Sequence, residues 1–266
     1  MRKKISVILL ILLMLLSTAC SKTPEEETPV DPEPEKQEEV VDPEPEKEVP
    51  YENTLDYKEL NYQYNTMKSS YGDYVGEIFF ESDLVNLPFV QGASNDTYLR
   101  TDFQTGQYDS SGSIFMDYRN TLDDQNIIIY GHYVYLSKDP SGEKKFTPLR
   151  FLTEEENYEA NKYFYLLLDG ELRKYEIASV YYCQLSDAKG YWETDPDMQY
   201  YITNYSEGYF NAYKEKIKEV EFYDTGVDFN YEDKFVTLQT CVENREDLRE
   251  IVLGKLVRVV DTNRRR

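Results

Sequence analysis

From residue 74 onward the chain is a succession of short apolar runs, rich in β-branched and aromatic residues and closed by Gly, Asp or Asn. The runs fall at 74–80 (YVGEIFF), 87–91 (LPFVQ), 112–118 (GSIFMDY), 126–131 (NIIIYG), 163–168 (YFYLLL), 172–185, 234–240 and 249–260. Such runs read as strands. Eight of them in one stretch predict a mainly β fold, a closed barrel or a sandwich. Leu55, Tyr57, Leu60, Tyr64 and Met67 fall near a 3.6-residue period and predict an N-terminal amphipathic helix. Two helical interruptions are predicted within the β region, a short one over 147–159 and a longer one over 197–220. Tyr201, Tyr205, Phe210, Tyr213 and Ile217 give the longer one an apolar face. It lies between two predicted strands and therefore decorates the β core.

The first 50 residues follow neither pattern. Arg2, Lys3 and Lys4 precede an apolar run from Ile5 to Leu16, and small residues lead on to Cys20. This is the layout of an export signal. Leu-Ser-Thr-Ala-Cys resembles a lipoprotein processing site, which would make Cys20 a lipid anchor, although Ser17 stands where such sites usually carry Leu. The alternative is an uncleaved anchor. Ile5 to Cys20 is short against the roughly 20 residues of a spanning helix. On either reading the remainder lies on the extracellular face of the membrane. Residues 21–50 are rich in Pro and Glu, contain Val-Asp-Pro-Glu-Pro-Glu-Lys at both 30–36 and 41–47, and hold no aromatic residue. They read as a disordered, charge-extended tether. Residues 51–266 are left as the folded, catalytic part.

The net charge is −22. The signal contributes three positive charges and residues 21–50 a net of nine negative ones, leaving −16 for residues 51–266. So acidic a surface repels phosphate backbones and argues against nucleic-acid binding. It equally disfavours a broad electrostatic hold on anionic lipid. Of the three cysteines, Cys183 sits in the β-like run Tyr181-Tyr-Cys-Gln184 and reads as a small buried hydrophobe.

Two segments carry chemistry. Asn126-Ile-Ile-Ile-Tyr-Gly-His132 ends in the only histidine, and Phe235-Val-Thr-Leu-Gln-Thr-Cys241 ends in a thiol, with Arg249 eight residues later. Each side chain alone has an ordinary reading: a structural imidazole at a strand end, an inert thiol, a surface charge. Together they form a nucleophile, a general acid–base and a permanent cation on parts distant in sequence, as acyl transfer through a thiolate requires. A single histidine argues against a zinc hydrolase. Neither a Gly-rich phosphate loop nor a Ser-centred elbow is evident, and no cofactor is implied.

The chain resembles the sortases, the cysteine transpeptidases of Gram-positive surfaces, and among them class B. The matching segments keep the family's order: Val75-Gly-Glu-Ile78, Pro88-Phe-Val-Gln-Gly92 with Asn95-Asp-Thr-Tyr-Leu99, Gly112 to Asn120, Ile129-Tyr-Gly-His132, Thr237-Leu-Gln-Thr-Cys241 and Arg249 to Leu256. The resemblance spans about residues 74–260. It implies an eight-stranded sortase-type β-barrel with an N-terminal helix and a long helix inserted before the cysteine-bearing strand. It implies that Cys241 attacks the Thr carbonyl of a C-terminal sorting signal on a secreted protein. His132 would serve the leaving and incoming amines, and Arg249 the oxyanion. Asn95, Leu99 and Tyr130 match positions that line the class B groove, and Gln239 joins them as a residue facing the peptide.

Departures from the class are visible. Gln239 stands where Ser is frequent, Val242 where an acid often follows the cysteine, and Tyr133 where Asn or His usually follows the histidine. The implied acceptor is an amine on a peptidoglycan precursor. Three other readings stay open on sequence: pilin polymerisation through an acceptor Lys, a peptidase that only hydrolyses, and a non-catalytic exported binding module.

Overall fold

A computed structural model describes residues 49–135, 144–185 and 198–264. The anchor expected at Cys20 and the tether expected over 21–50, apart from its last two residues, lie outside the described residues. Eight strands follow one another: β1 Tyr74–Phe80, β2 Asn86–Val90, β3 Ile114–Met116, β4 Asn126–Tyr130, β5 Tyr163–Leu168, β6 Glu171–Gln184, β7 Phe235–Val242 and β8 Arg245–Asp261. They close into a barrel in the order β1-β2-β3-β4-β7-β8-β6-β5, with β5 returning to β1. Closure leaves no open sheet edge. All neighbours are antiparallel except β2 with β3 and β4 with β7.

Alternation along the strands sends one set of side chains inward, among them Ile78, Phe80, Phe89, Ile129, Phe164, Leu238 and Val252, all buried. Part of the outer face is also covered, which is why every residue of β4 is buried. The cover is α3, Glu207–Val220, whose Phe210, Tyr213 and Ile217 recur at helical spacing and pack with Ile128, Phe235 and Ile251. On another side α1, Tyr57–Ser70, lays Tyr64 against Tyr74 and Tyr165. The Asp56 carboxylate caps α1 by accepting from the amides of Lys58 (3.0 Å) and Glu59 (3.2 Å). Among the described residues no helix is long and apolar enough to cross a membrane.

The strand and helix expectations hold in order and type, with four corrections of extent. The inserted helix begins at Glu207, not near 197 (a residue outside those described). The amides of Tyr200 and Ile202 donate to the carbonyls of Met198 (2.9 Å) and Gln199 (3.3 Å), outside the helical i→i−4 pattern; the Asn126 side-chain amide fastens the carbonyls of Tyr200 and Ile202 at 3.0 and 2.9 Å, and Ser206 caps the helix that follows. The run at 112–118 yields a strand of only three residues. Gly112 has a φ of +55°, and the Ser113 hydroxyl donates to the carbonyl of Thr101, so the chain is already engaged in a turn. The short helix over 147–159 becomes two 3-10 turns, Thr147–Thr153 and Glu155–Asn157, and a single turn α2, Tyr158–Asn161. The last strand starts at Arg245, so Arg249 stands inside it, not at its beginning.

Candidate active site

Because β4 and β7 are parallel neighbours, their C-terminal ends open at the same end of the barrel. Tyr130 lies opposite Gln239, and the Gly131 amide donates to the Gln239 carbonyl at 3.1 Å. His132 and Cys241 stand two residues further along each chain, on the same face as that pair. Across the antiparallel β7–β8 ladder Cys241 lies opposite Arg249, and Arg249 in turn lies opposite Cys183 on β6. Cys241, Arg249 and Cys183 therefore form one transverse row, and His132 follows β4 at the same end of the barrel. Both cysteines are free thiols; Cys183 is buried and Cys241 partly exposed. Asn126 helps set the register by accepting from the Thr237 hydroxyl at 2.9 Å between the two parallel strands.

His132, Cys241 and Arg249 line one cavity of about 440 Å³. Leu99, Tyr130 and Gln239 line it too, as the sequence led us to expect. So do Asp96, Arg100, Phe115 and Gly131, none of which sequence reasoning singled out. Gly131 is required by packing: a Cβ there would sit 2.5 Å from Phe146 Cγ and 2.6 Å from Ile114 Cδ1. Asn95 is the exception among the expected residues. It lies outside this cavity, with its amide donating to Asp117 Oδ2 at 3.0 Å and its carbonyl oxygen accepting from the Tyr118 amide at 3.0 Å. It lines a neighbouring cavity instead, with Asp96, Tyr118, Arg119 and Tyr201.

His132 Nε2 is 2.7 Å from the carbonyl oxygen of Leu99. A carbonyl can only accept, so Nε2 carries the proton and Nδ1 is the nitrogen left for proton exchange. The Leu99 carbonyl is itself held in place. Gly112 packs so closely that a Cβ on it would be 2.4 Å from Leu99 O, and the Ser113 amide donates to Tyr98 O at 3.0 Å. Burial lowers the pKa of His132 below 6.5, and the positive charges of Arg100 and Lys145 act in the same direction. The Leu99 bond and Asp109 oppose them without cancelling the effect. The imidazolium is thus the minority form at neutral pH.

Arg249 is 8 % exposed. Its Nη1 donates to the carbonyls of Glu246 (3.0 Å) and Leu248 (2.8 Å), which pins one side of the guanidinium to the β7–β8 hairpin. Among the described residues Nε and Nη2 make no hydrogen bond, and they remain as donors for the cavity. Asp117, fully buried, accepts from the hydroxyl of the cavity-lining Tyr130 at 2.8 Å. Burial alone would raise its pKa, but hydrogen bonds from Arg119, Asn95 and Tyr130 outweigh burial and hold the carboxyl below its usual range.

The comparisons fit this geometry. No protein-family model matches the chain. A curated relative, Sortase B of Listeria monocytogenes, is 31 % identical over 190 residues, which cover 70 % of each chain. The crystal structure of Clostridium perfringens Sortase B superposes with a TM-score of 0.61 at 30 % identity, covering 73 % of this chain and 99 % of that one. A Staphylococcus aureus sortase B–substrate complex shares the fold, with a TM-score of 0.60 at 24 % identity over 75 % of this chain and 86 % of that one. Identity at that level, sustained over seven-tenths of the Listeria relative and of this chain and accompanied by the same closed barrel, means that the chain belongs to the class B sortases and is a cysteine transpeptidase.

Proposed function

We propose that this transpeptidase cleaves a C-terminal sorting signal of secreted proteins after Thr and transfers the acyl group to an amine of a cell-wall precursor. The observation that carries the reading is the convergence of His132, Cys241 and Arg249 on one cavity, favoured by the Tyr130–Gln239 and Cys241–Arg249 pairings. In this reading the Cys241 thiolate attacks the Thr carbonyl carbon. The free edge of the Arg249 guanidinium stabilises the oxyanion that forms. As the C–N bond breaks, Nδ1–H of the His132 imidazolium passes its proton to the departing amine, leaving a thioester and a neutral ring. The incoming amine then attacks the thioester carbonyl. Nδ1 takes the proton it sheds, and the thiolate leaves as the new amide closes.

Only molecules holding both a thiolate and an imidazolium are competent to begin. A His132 pKa below its ordinary value makes them scarce at neutral pH, so a slow enzyme follows. The peptide would run past Leu99, Tyr130 and Gln239. The N-terminal signal, with Cys20 as lipid anchor or as the end of an uncleaved helix, would hold the enzyme at the outer face of the membrane, with the acidic segment as spacer.

The test is to incubate the full chain in detergent with a library of five-residue motifs placed before a short tail. Amine acceptors are added and products identified by mass. The reading predicts cleavage after Thr and a new amide to the acceptor. Hydrolysis alone, unchanged by amine, would overturn the transfer step. Cleavage that survives Cys241→Ala would overturn the assignment of the nucleophile.

A further inference from the structure

We infer that Asp117 is a positioning residue for peptide binding: its buried carboxylate ties together the wall of the groove that faces the substrate. The inference rests on the functional reading above, because it takes the cavity beside Cys241 to be the peptide groove.

The carboxylate accepts five hydrogen bonds from three partners. Oδ1 receives the Arg119 amide (2.9 Å) and Arg119 Nε (2.9 Å). Oδ2 receives Arg119 Nη2 (2.8 Å), Asn95 Nδ2 (3.0 Å) and the Tyr130 hydroxyl (2.8 Å). Each partner belongs to a different part of the wall. Asn95 sits on the β2–β3 connection, which also supplies Asp96, Leu99 and Arg100 to the cavity. Tyr130 ends β4 and lines the cavity through its ring. Arg119 reaches on to the carbonyl of Tyr201 at 3.0 Å, which brings in the β6–β7 connection. The backbone around Asp117 is fixed as well, since Gln91 Nε2 donates to the carbonyls of Asp117 and Asn120, both at 2.8 Å.

A fully buried carboxylate with this many charge-assisted or directed bonds has one geometry available to it. Tyr130 and the Asn95 loop inherit that geometry. The anchors of His132 do not touch Asp117, although one of them, Leu99, shares the β2–β3 connection with Asn95. They are the Leu99 carbonyl backed by Gly112, the Gly131 amide on Gln239, and the Phe146 amide on the His132 carbonyl at 3.1 Å. Disturbing Asp117 should therefore loosen the peptide wall far more than the thiol and imidazole.

Asp117→Asn preserves volume and one acceptor but turns the other oxygen into an NH2 group, which cannot accept from Tyr130 and Asn95. In the full chain, this variant should raise KM for a processed sorting peptide roughly 10-fold or more, with kcat within about 3-fold of wild type. Alkylation of Cys241 by iodoacetamide, read on the peptide that carries it, should stay within about 2-fold, because so small a reagent needs no wall. Tyr130→Phe, which removes only one donor, should raise KM in the same direction, and by less when Asp117→Asn is already present. An unchanged KM in folded Asp117→Asn would overturn the inference. So would a joint fall of turnover, alkylation and thermal stability, which would mark Asp117 as a scaffold residue only. If Asp117→Asn does not fold, Tyr130→Phe decides: a KM equal to wild type overturns the inference. A wild-type chain that processes no sorting peptide would sink the functional reading and this inference with it.

Discussion

A titration near neutral pH is expected of Glu250. It follows Arg249 on β8, lies opposite Thr240 on β7 and Tyr182 on β6, and is 2 % exposed. Among the described residues, its Oε1 and the neighbouring Thr240 Oγ1 have no hydrogen-bond partner. It borders a second cavity of about 370 Å³, together with Tyr133, Arg150, Tyr182 and Glu243. Burial pushes its pKa from 4.5 up to about 8, with the Arg150 charge only partly opposing. A carboxyl raised in this way binds its proton more tightly in the folded state than in the unfolded one. Its contribution to stability is therefore complete below about pH 4.5 and is lost as pH rises, at about 1.4 kcal/mol per pH unit, until about pH 8. The total is about 5 kcal/mol. Glu250→Gln keeps the shape and removes the titration. The two proteins should melt at similar temperatures at pH 5. The variant should gain roughly 3–5 °C over wild type for each pH unit above that, up to pH 8, given about 2–4 °C per kcal/mol for a domain of this size. Differential scanning fluorimetry of both proteins from pH 5 to 8.5 checks this, and carboxyls common to both cancel in the difference. A difference that does not change with pH would refute the reasoning, as would a variant less stable than wild type at pH 8.5.

Three further outcomes are expected. Arg249→Ala should lower kcat/KM by roughly 10²–10³, the loss typical of an oxyanion donor, in steady-state peptide assays; a near-wild-type rate would remove its role. His132 is the only histidine, so its ring protons should titrate as a single NMR transition with a midpoint below 6.5, and a midpoint at or above 6.5 would contradict the burial argument. Deleting residues 21–48 should leave peptide turnover unchanged in detergent solution, and a large loss would make the acidic segment part of the site.

What was legible in the sequence follows from what is local. Strand runs such as YFYLLL and NIIIY declare themselves because two covered faces demand unbroken apolar residues, and Phe210, Tyr213 and Ile217 declare α3 by spacing. The start of α3 was not legible, because Asn126, some 75 residues earlier, fastens the backbone of Tyr200 and Ile202 in a non-helical course. The pairing of β4 with β7 was not legible either. No local pattern encodes which strands become neighbours, although that pairing brings His132 to Cys241. The catalytic candidates were reached through residue chemistry and the family's motif order, and their convergence then follows from topology. Asn95 could be picked out from the motif, but its hydrogen bond to Asp117 joins residues 22 positions apart and no local pattern encodes it. Asp117 was overlooked for the complementary reason: an acid inside an apolar run reads as a turn until its partners from Asn95, Arg119 and Tyr130 are in view.

The central claim is that the thiol of residue 241 carries the acyl group, and trapping the intermediate tests it most directly. The full chain is mixed with a processed sorting peptide in the absence of amine acceptor, quenched with acid, digested and mapped by mass. The account predicts an adduct equal to the peptide up to its Thr on the fragment containing Cys241. The adduct should be absent in Cys241→Ala and discharged when amine is supplied. An adduct on Cys183 or on no cysteine, with turnover intact, would contradict it.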